Sequence, residues 1–146
     1  MKYVAGFLLL VLASQLSQAE PGDHPDLTTF SRSDLAGEVF ERPDVLRTQH
    51  PDGHVTLDVT SMISSDKAFS TGMYQSGKTR LEVIEPYGVD EFMYFIKGSV
   101  TLTSSDGRVQ SVEAGEAVTI PKEWTGIWET EGYTKIWVIY SPGSDE

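Results

Sequence analysis

The chain of 146 residues contains no cysteine. That excludes disulfides, a thiol nucleophile and thiolate ligation of a metal, so an exported domain of this kind must be held by its apolar core. Histidine is scarce, with three residues at positions 24, 50 and 54. Basic residues are also few: 11 Lys and Arg face 22 Asp and Glu, for a formal net charge of −11. Such a surface repels phosphate backbones and anionic lipid heads, which argues against nucleic acid as a partner. No segment shows the period of a long amphipathic helix. A nucleophilic-serine elbow, a phosphate loop and a dinucleotide glycine fingerprint are absent too.

What is present begins with the layout of a secretory signal peptide over residues 1–19. Lys2 supplies a positive start, Val4 to Ala13 an apolar stretch, and Ser17-Gln18-Ala19 a small-residue ending. The apolar stretch is shorter than the roughly 20 residues that span a bilayer. Cleavage before Glu20 is expected, giving a periplasmic or secreted protein with no membrane association. It removes Lys2 and no acid, so the mature chain is one unit more negative. Residues 20–37 are polar and read as an extended or loosely ordered N-terminal arm, in which Ser33–Gly37 can form a helical turn. Residues 38–142 form one domain, and 143–146 are a tail.

That domain reads as short strands. Val55, Leu57 and Val59 alternate with Thr56, Asp58 and Thr60, the period of a half-buried strand. Leu81, Val83 and Glu85 share a face of another strand. Phe92 to Ile96 is apolar on both faces, which predicts a fully buried strand. Asp106-Gly107 between two alternating runs is a hairpin signal, and Asp52-Gly53 is a weaker one. Trp124–Thr130 and Lys135–Tyr140 are the last two strands. Many short strands without helices argue for an all-β sandwich or barrel.

Two stretches carry a more specific pattern. Residues 91–98 read EFMYFIKG, a carboxylate ahead of a glycine, and residues 115–121 read GEAVTIP, a Gly-x5-Pro spacing. Around them lie Gly72 with Tyr74, the Asp106-Gly107 hairpin, Gly126-Ile127-Trp128-Glu129, and Lys135. In this order the residues resemble the small cupins related to the cupin halves of (S)-ureidoglycine aminohydrolase, over about half of the chain. The resemblance implies a cupin-type double-stranded β-helix, a jelly-roll barrel, and allows hydrolysis of a C–N bond. It also implies pairing into a homodimer through sheet faces. Metal-binding cupins carry a His-x-His pair just before the first motif and a His just after the second. Here those positions read Glu85-Pro86-Tyr87 and Gly126. Position 123, usually a turn glycine, is Glu.

The expected site follows from strand parity. If Glu91 faces the barrel interior, so do Met93 and Phe95, together with Leu81, Val83, Glu85 and Tyr87 from the preceding strand and Trp124, Trp128 and Thr130 from the last motif. Glu85 and Glu91 are the candidate catalytic carboxylates, and closeness would raise one of their titrations. Tyr87, Met93, Trp128 and Lys135 are the candidate ligand-binding residues. Lys135 has Glu129 and Glu131 as candidate partners. No metal site and no cofactor are assigned: His50 and His54 flank a predicted turn, where their spacing need not bring them together as it would on a helix. The expected function is binding of a small polar metabolite, amine-containing in one version, in an acidic and aromatic pocket. The alternative is an enzyme using Glu85 and Glu91, with or without a metal held by non-histidine ligands.

Overall fold

The computed structural model describes residues 26–143; the expected signal peptide and the end of the tail lie outside them. Eight strands form one antiparallel sheet: β1 (Leu46–Gln49), β2 (Val55–Ile63), β3 (Phe69–Ser76), β4 (Thr79–Val83), β5 (Asp90–Ser104), β6 (Val109–Glu113), β7 (Ala117–Ile120) and β8 (Gly126–Tyr140). The main order is β1-β2-β3-β8-β5-β6, with β4 beside β8 and β7 beside β5. The fold is the all-β jelly-roll barrel expected of a cupin.

The two long strands explain how one sheet closes into a barrel. One edge of β8 carries β3 along residues 133–140 and β4 along residues 126–130. Along its other edge β5 pairs from Asp90↔Tyr140 to Ser104↔Gly126, with register shifts at Phe95/Lys97 and Ser99/Thr101. β7 extends one half of β5 and β6 the other. The bend falls where Gly98 and Gly132 meet. Gly98 has φ 71° and Gly132 φ 132°, and a Cβ on Gly98 would lie 2.0 Å from the Gly132 carbonyl oxygen. Only glycine permits both that φ and that approach. The halves then face one another across a single core of Met93, Phe95, Val100, Leu102, Val112, Ile120, Trp128 and Tyr133. The last two expected strands are thus one continuous strand bent at Gly132, rather than two separated by a break.

Both predicted hairpin turns are present, with Gly53 at φ 91° and Gly107 at φ 87°. The helical turn expected at Ser33–Gly37 is present in the N-terminal segment. Helix α1 (Arg32–Ala36) is capped by Ser31, whose hydroxyl accepts from the Asp34 amide while the Asp34 carboxylate accepts from the Ser31 amide. A 3-10 turn, Glu38–Glu41, follows. Phe30, Leu35, Val39 and Phe40 pack on Val59, Met73, Ile96 and Ile136, forming a second small core on the outer face of the sheet. The covering ends there. Phe92 and Tyr94, expected to be buried, stand 43% and 40% exposed on that same outer face, outside the cluster that the N-terminal turns cover.

Candidate functional site

β5 positions the first group. Glu91, Met93 and Phe95 alternate inward and are 4%, 0% and 0% exposed. In register on β8, Lys135 faces Phe95 and Trp137 faces Met93. The outcome is a buried ion pair: the Lys135 ammonium donates to Glu91 Oε1 at 2.6 Å and approaches Met93 Sδ at 2.9 Å. The other carboxylate oxygen, Oε2, accepts from the Tyr87 hydroxyl. Three aromatic faces surround the ammonium, those of Trp128 at 5.4 Å, Tyr74 at 5.5 Å and Tyr133 at 5.9 Å. All are within the range where a cation is attracted to a ring quadrupole, and burial strengthens that attraction.

Tyr87 is held from the adjoining loop. Its amide donates to the Trp124 carbonyl at 3.0 Å, and its ring meets Trp124 edge-on. Burial and then the Glu91 carboxylate push the Tyr87 phenol well above its ordinary range. Burial does the same to Tyr133 and lifts Tyr74 to about 12. The phenols around the pair therefore stay neutral at physiological pH and act as hydrogen-bond donors and cation-facing rings, not as bases.

Five of the sequence-predicted site residues, Tyr87, Glu91, Met93, Trp128 and Lys135, come together in the barrel. Glu85 does not join them: it is exposed in the segment after β4 and makes no hydrogen bond or ion pair among the described residues. Lys135 pairs with Glu91 rather than with Glu129 or Glu131, which pair at the surface with Arg80 and Lys78. Where an open pocket is expected, the lysine side chain fills the space between the rings. A cleft of about 830 Å3 opens elsewhere, between Asp52, His54, Lys78, Arg80, Glu129 and Glu131. Its walls carry the surface pairs Lys78–Glu131 and Arg80–Glu129, and of the residues expected in the site Thr130 alone lines it.

Three residues absent from the sequence-based site belong to it. Tyr133 is buried against Phe95 and Trp128, with ring centroids 5.2 and 5.9 Å away. Tyr74 supplies a face of the aromatic box. Asp58 on β2 points inward and accepts from the Trp137 indole at 3.1 Å. Trp137 reaches it by lying across Gly72, where any Cβ would stand 2.3 Å from the indole.

The residues do not suit a metal ion. The one fully buried carboxylate is engaged by an ammonium and a phenol, and no group of three or more His, Asp or Glu side chains among the described residues could hold a metal. The arrangement is suited instead to an ammonium group, held by one carboxylate and several rings.

The profile of the EutQ-like cupin domain matches residues 63–135, half of the chain. No match was found among curated proteins. Similar solved structures include a protein of unknown function from Pseudomonas syringae pv. tomato (TM-score 0.59, 16% identity, covering 65% of this chain and 43% of that one). The present chain therefore spans less than half the length of that protein. The EutQ protein of Clostridium difficile gives a TM-score of 0.53 at 22% identity, over 68% of this chain and 77% of that one. Ectoine synthase from P. lautus gives 0.58 at 13%, over 82% and 80%. At these identities the structural likeness speaks for the fold alone, and it agrees with the sequence profile: the chain belongs to the EutQ-like cupin family.

Proposed function

We propose that the protein is an exported, metal-independent cupin that binds a small polar metabolite carrying an amine, at Glu91 inside the barrel. The observation that carries this reading is the Lys135 ammonium seated between the Glu91 carboxylate and the rings of Tyr74, Trp128 and Tyr133. The protein's own lysine marks out what the site accepts. A ligand ammonium replaces it at Glu91, with Tyr87 holding the second oxygen and Met93 and Trp128 contacting the adjoining carbons. Replacement is favoured by chemistry that is already in place, because the carboxylate and the rings need no rearrangement.

A thermal-shift screen of small primary amines against neutral isosteres tests the reading. Stabilisation of the wild type by at least one amine, lost in Glu91→Gln, is the expected result. A panel that shifts neither protein contradicts it. Elemental analysis of the purified mature protein is the companion measurement, and stoichiometric manganese or zinc would overturn metal independence.

A second reading is an enzyme of the ureidoglycine aminohydrolase type. The contact chain Tyr87–Glu91–Lys135 favours it, since hydrogen bonds join a phenol, a carboxylate and an ammonium in one line, with Glu91 the group placed to exchange a proton with a substrate. Any turnover should then fall in Glu91→Gln; an unaffected rate removes this reading. Comparing Glu85→Gln separates a role for Glu85 from that of the buried carboxylate. We further propose that the molecule is a homodimer, supported by the exposed apolar side chains Phe92, Tyr94, Phe69 and Tyr140 on the outer face of the sheet.

A further inference from the structure

The barrel interior holds a second carboxylate that the reading above leaves unused. Asp58 on β2, Tyr74 on β3 and Lys135 on β8 are successive cross-strand partners in one row. Neighbouring strands lie about 4.8 Å apart, so Asp58 and Lys135 stand roughly 10 Å apart along the row. A lysine side chain can cover most of that distance, and the ammonium already lies over the Tyr74 ring that separates the two. Asp58 is fixed by the Trp137 indole at 3.1 Å, yet no ammonium or guanidinium pairs with it among the described residues. One ammonium thus serves two inward carboxylates. The Asp58 pKa is raised, chiefly by burial; the Trp137 indole and then Lys135 work against that rise and Glu91 adds to it, as expected if the three charged groups share one interior.

We propose that Asp58 is the alternative seat of the Lys135 ammonium: when a ligand ammonium engages Glu91, Lys135 swings across the Tyr74 face to Asp58. The swing rests on the amine-binding reading. With the ligand in place, two ammonium groups face two carboxylates and the interior is neutral. Without it, one carboxylate is unpaired. Asp58 therefore makes the site select cationic over neutral ligands without touching the ligand itself.

Two measurements test this. In the first, Asp58→Asn is placed in the wild type and in Glu91→Gln, and melting temperatures are compared at pH 7. In the wild type the substitution removes an unpaired buried carboxylate, while the amide oxygen can still accept from Trp137, so the melting temperature rises. In Glu91→Gln it strips Lys135 of its last carboxylate, so the temperature falls by about 4 °C or more. This reversal of sign is the expected result, and an effect of equal sign and size in both backgrounds overturns the proposal. If Glu91→Gln does not fold, Glu91→Asp withdraws the carboxylate by one methylene and serves in its place. In the second, n-butylammonium is titrated against wild type and Asp58→Asn, with n-butanol as the neutral control. A roughly tenfold weaker affinity in Asp58→Asn is expected. Equal affinities overturn the role of Asp58 and leave the amine-binding reading standing. If the wild type ignores n-butylammonium and every other amine of the panel, that reading fails, and the sign reversal alone decides whether Asp58 is a seat for Lys135.

Discussion

Removing one member of the Glu91–Lys135 pair leaves the other charge buried and unpaired, whereas removing both leaves only altered packing. Glu91→Gln or Lys135→Met should each cost about 3–5 kcal/mol, and the double variant should recover most of that loss. Urea denaturation of the three variants checks it; simple additivity would mean that the two charges do not depend on one another. At the other end of the barrel, Asp52 accepts from His54 and from Thr79 at 2.8 Å. These bonds lower its pKa from 3.8 to about 2. A carboxylate depressed in the folded state stabilises it above the unfolded value and loses that contribution as pH falls through the folded one. The acid limb of stability should therefore contain a component between pH 3.8 and about 2, absent in Asp52→Asn and visible in acid titrations followed by circular dichroism. Glu91, Met93 and Phe95 were readable because the motif position set Glu91 inward and the alternation of β5 then carried the other two. Asp58 was not: period two separates the faces of β2 without saying which is inside. Here the polar face, Thr56 and Asp58, turns into the barrel, while Val59 on the apolar face is covered by the N-terminal turns.

At the scale of elements, the barrel depends on how β5 and β8 bend. Gly98→Ala should destabilise strongly, since its Cβ would meet the Gly132 carbonyl at 2.0 Å and the Tyr133 Cα at 2.8 Å. A fall in melting temperature of more than about 4 °C is expected, and an unchanged value would show that the bend does not need glycine. The motif glycine was legible as a marker of the fold, but its partner Gly132 was not. Glu131-Gly132 reads as a break between strands, and only the pairing of Gly98 with Tyr133 and of Ser99 with Gly132 shows that the strand continues. The same misreading hid Tyr133. Glu85 shows the opposite failure. Parity carried it inward from Leu81 and Val83, but β4 ends at Val83, and beyond a strand's end alternation no longer fixes direction.

At the scale of the whole molecule, the acidic surface and the bare outer face pull in different directions. A formal charge of −11 keeps copies apart, while Phe92, Tyr94, Phe69 and Tyr140 offer an apolar area on which a second copy can dock. The proposed homodimer should strengthen as salt screens the repulsion. It should dissociate in Phe92→Lys/Tyr94→Lys, read as a halved mass in sedimentation with the melting curve of the monomer retained. A wild-type monomer at all concentrations would leave the apolar face without this partner. The ion pair lies buried inside the barrel, so the site itself can be put to a direct test. The most direct measurement is a proton–nitrogen spectrum of the lysine side chains at neutral pH. A buried ammonium held by Glu91 should give one signal protected from exchange with water, assigned through Lys135→Met, lost or shifted in Glu91→Gln. If every lysine ammonium exchanges rapidly, or the protected signal is indifferent to Glu91→Gln, the carboxylate does not hold Lys135 and the amine site built on it does not exist.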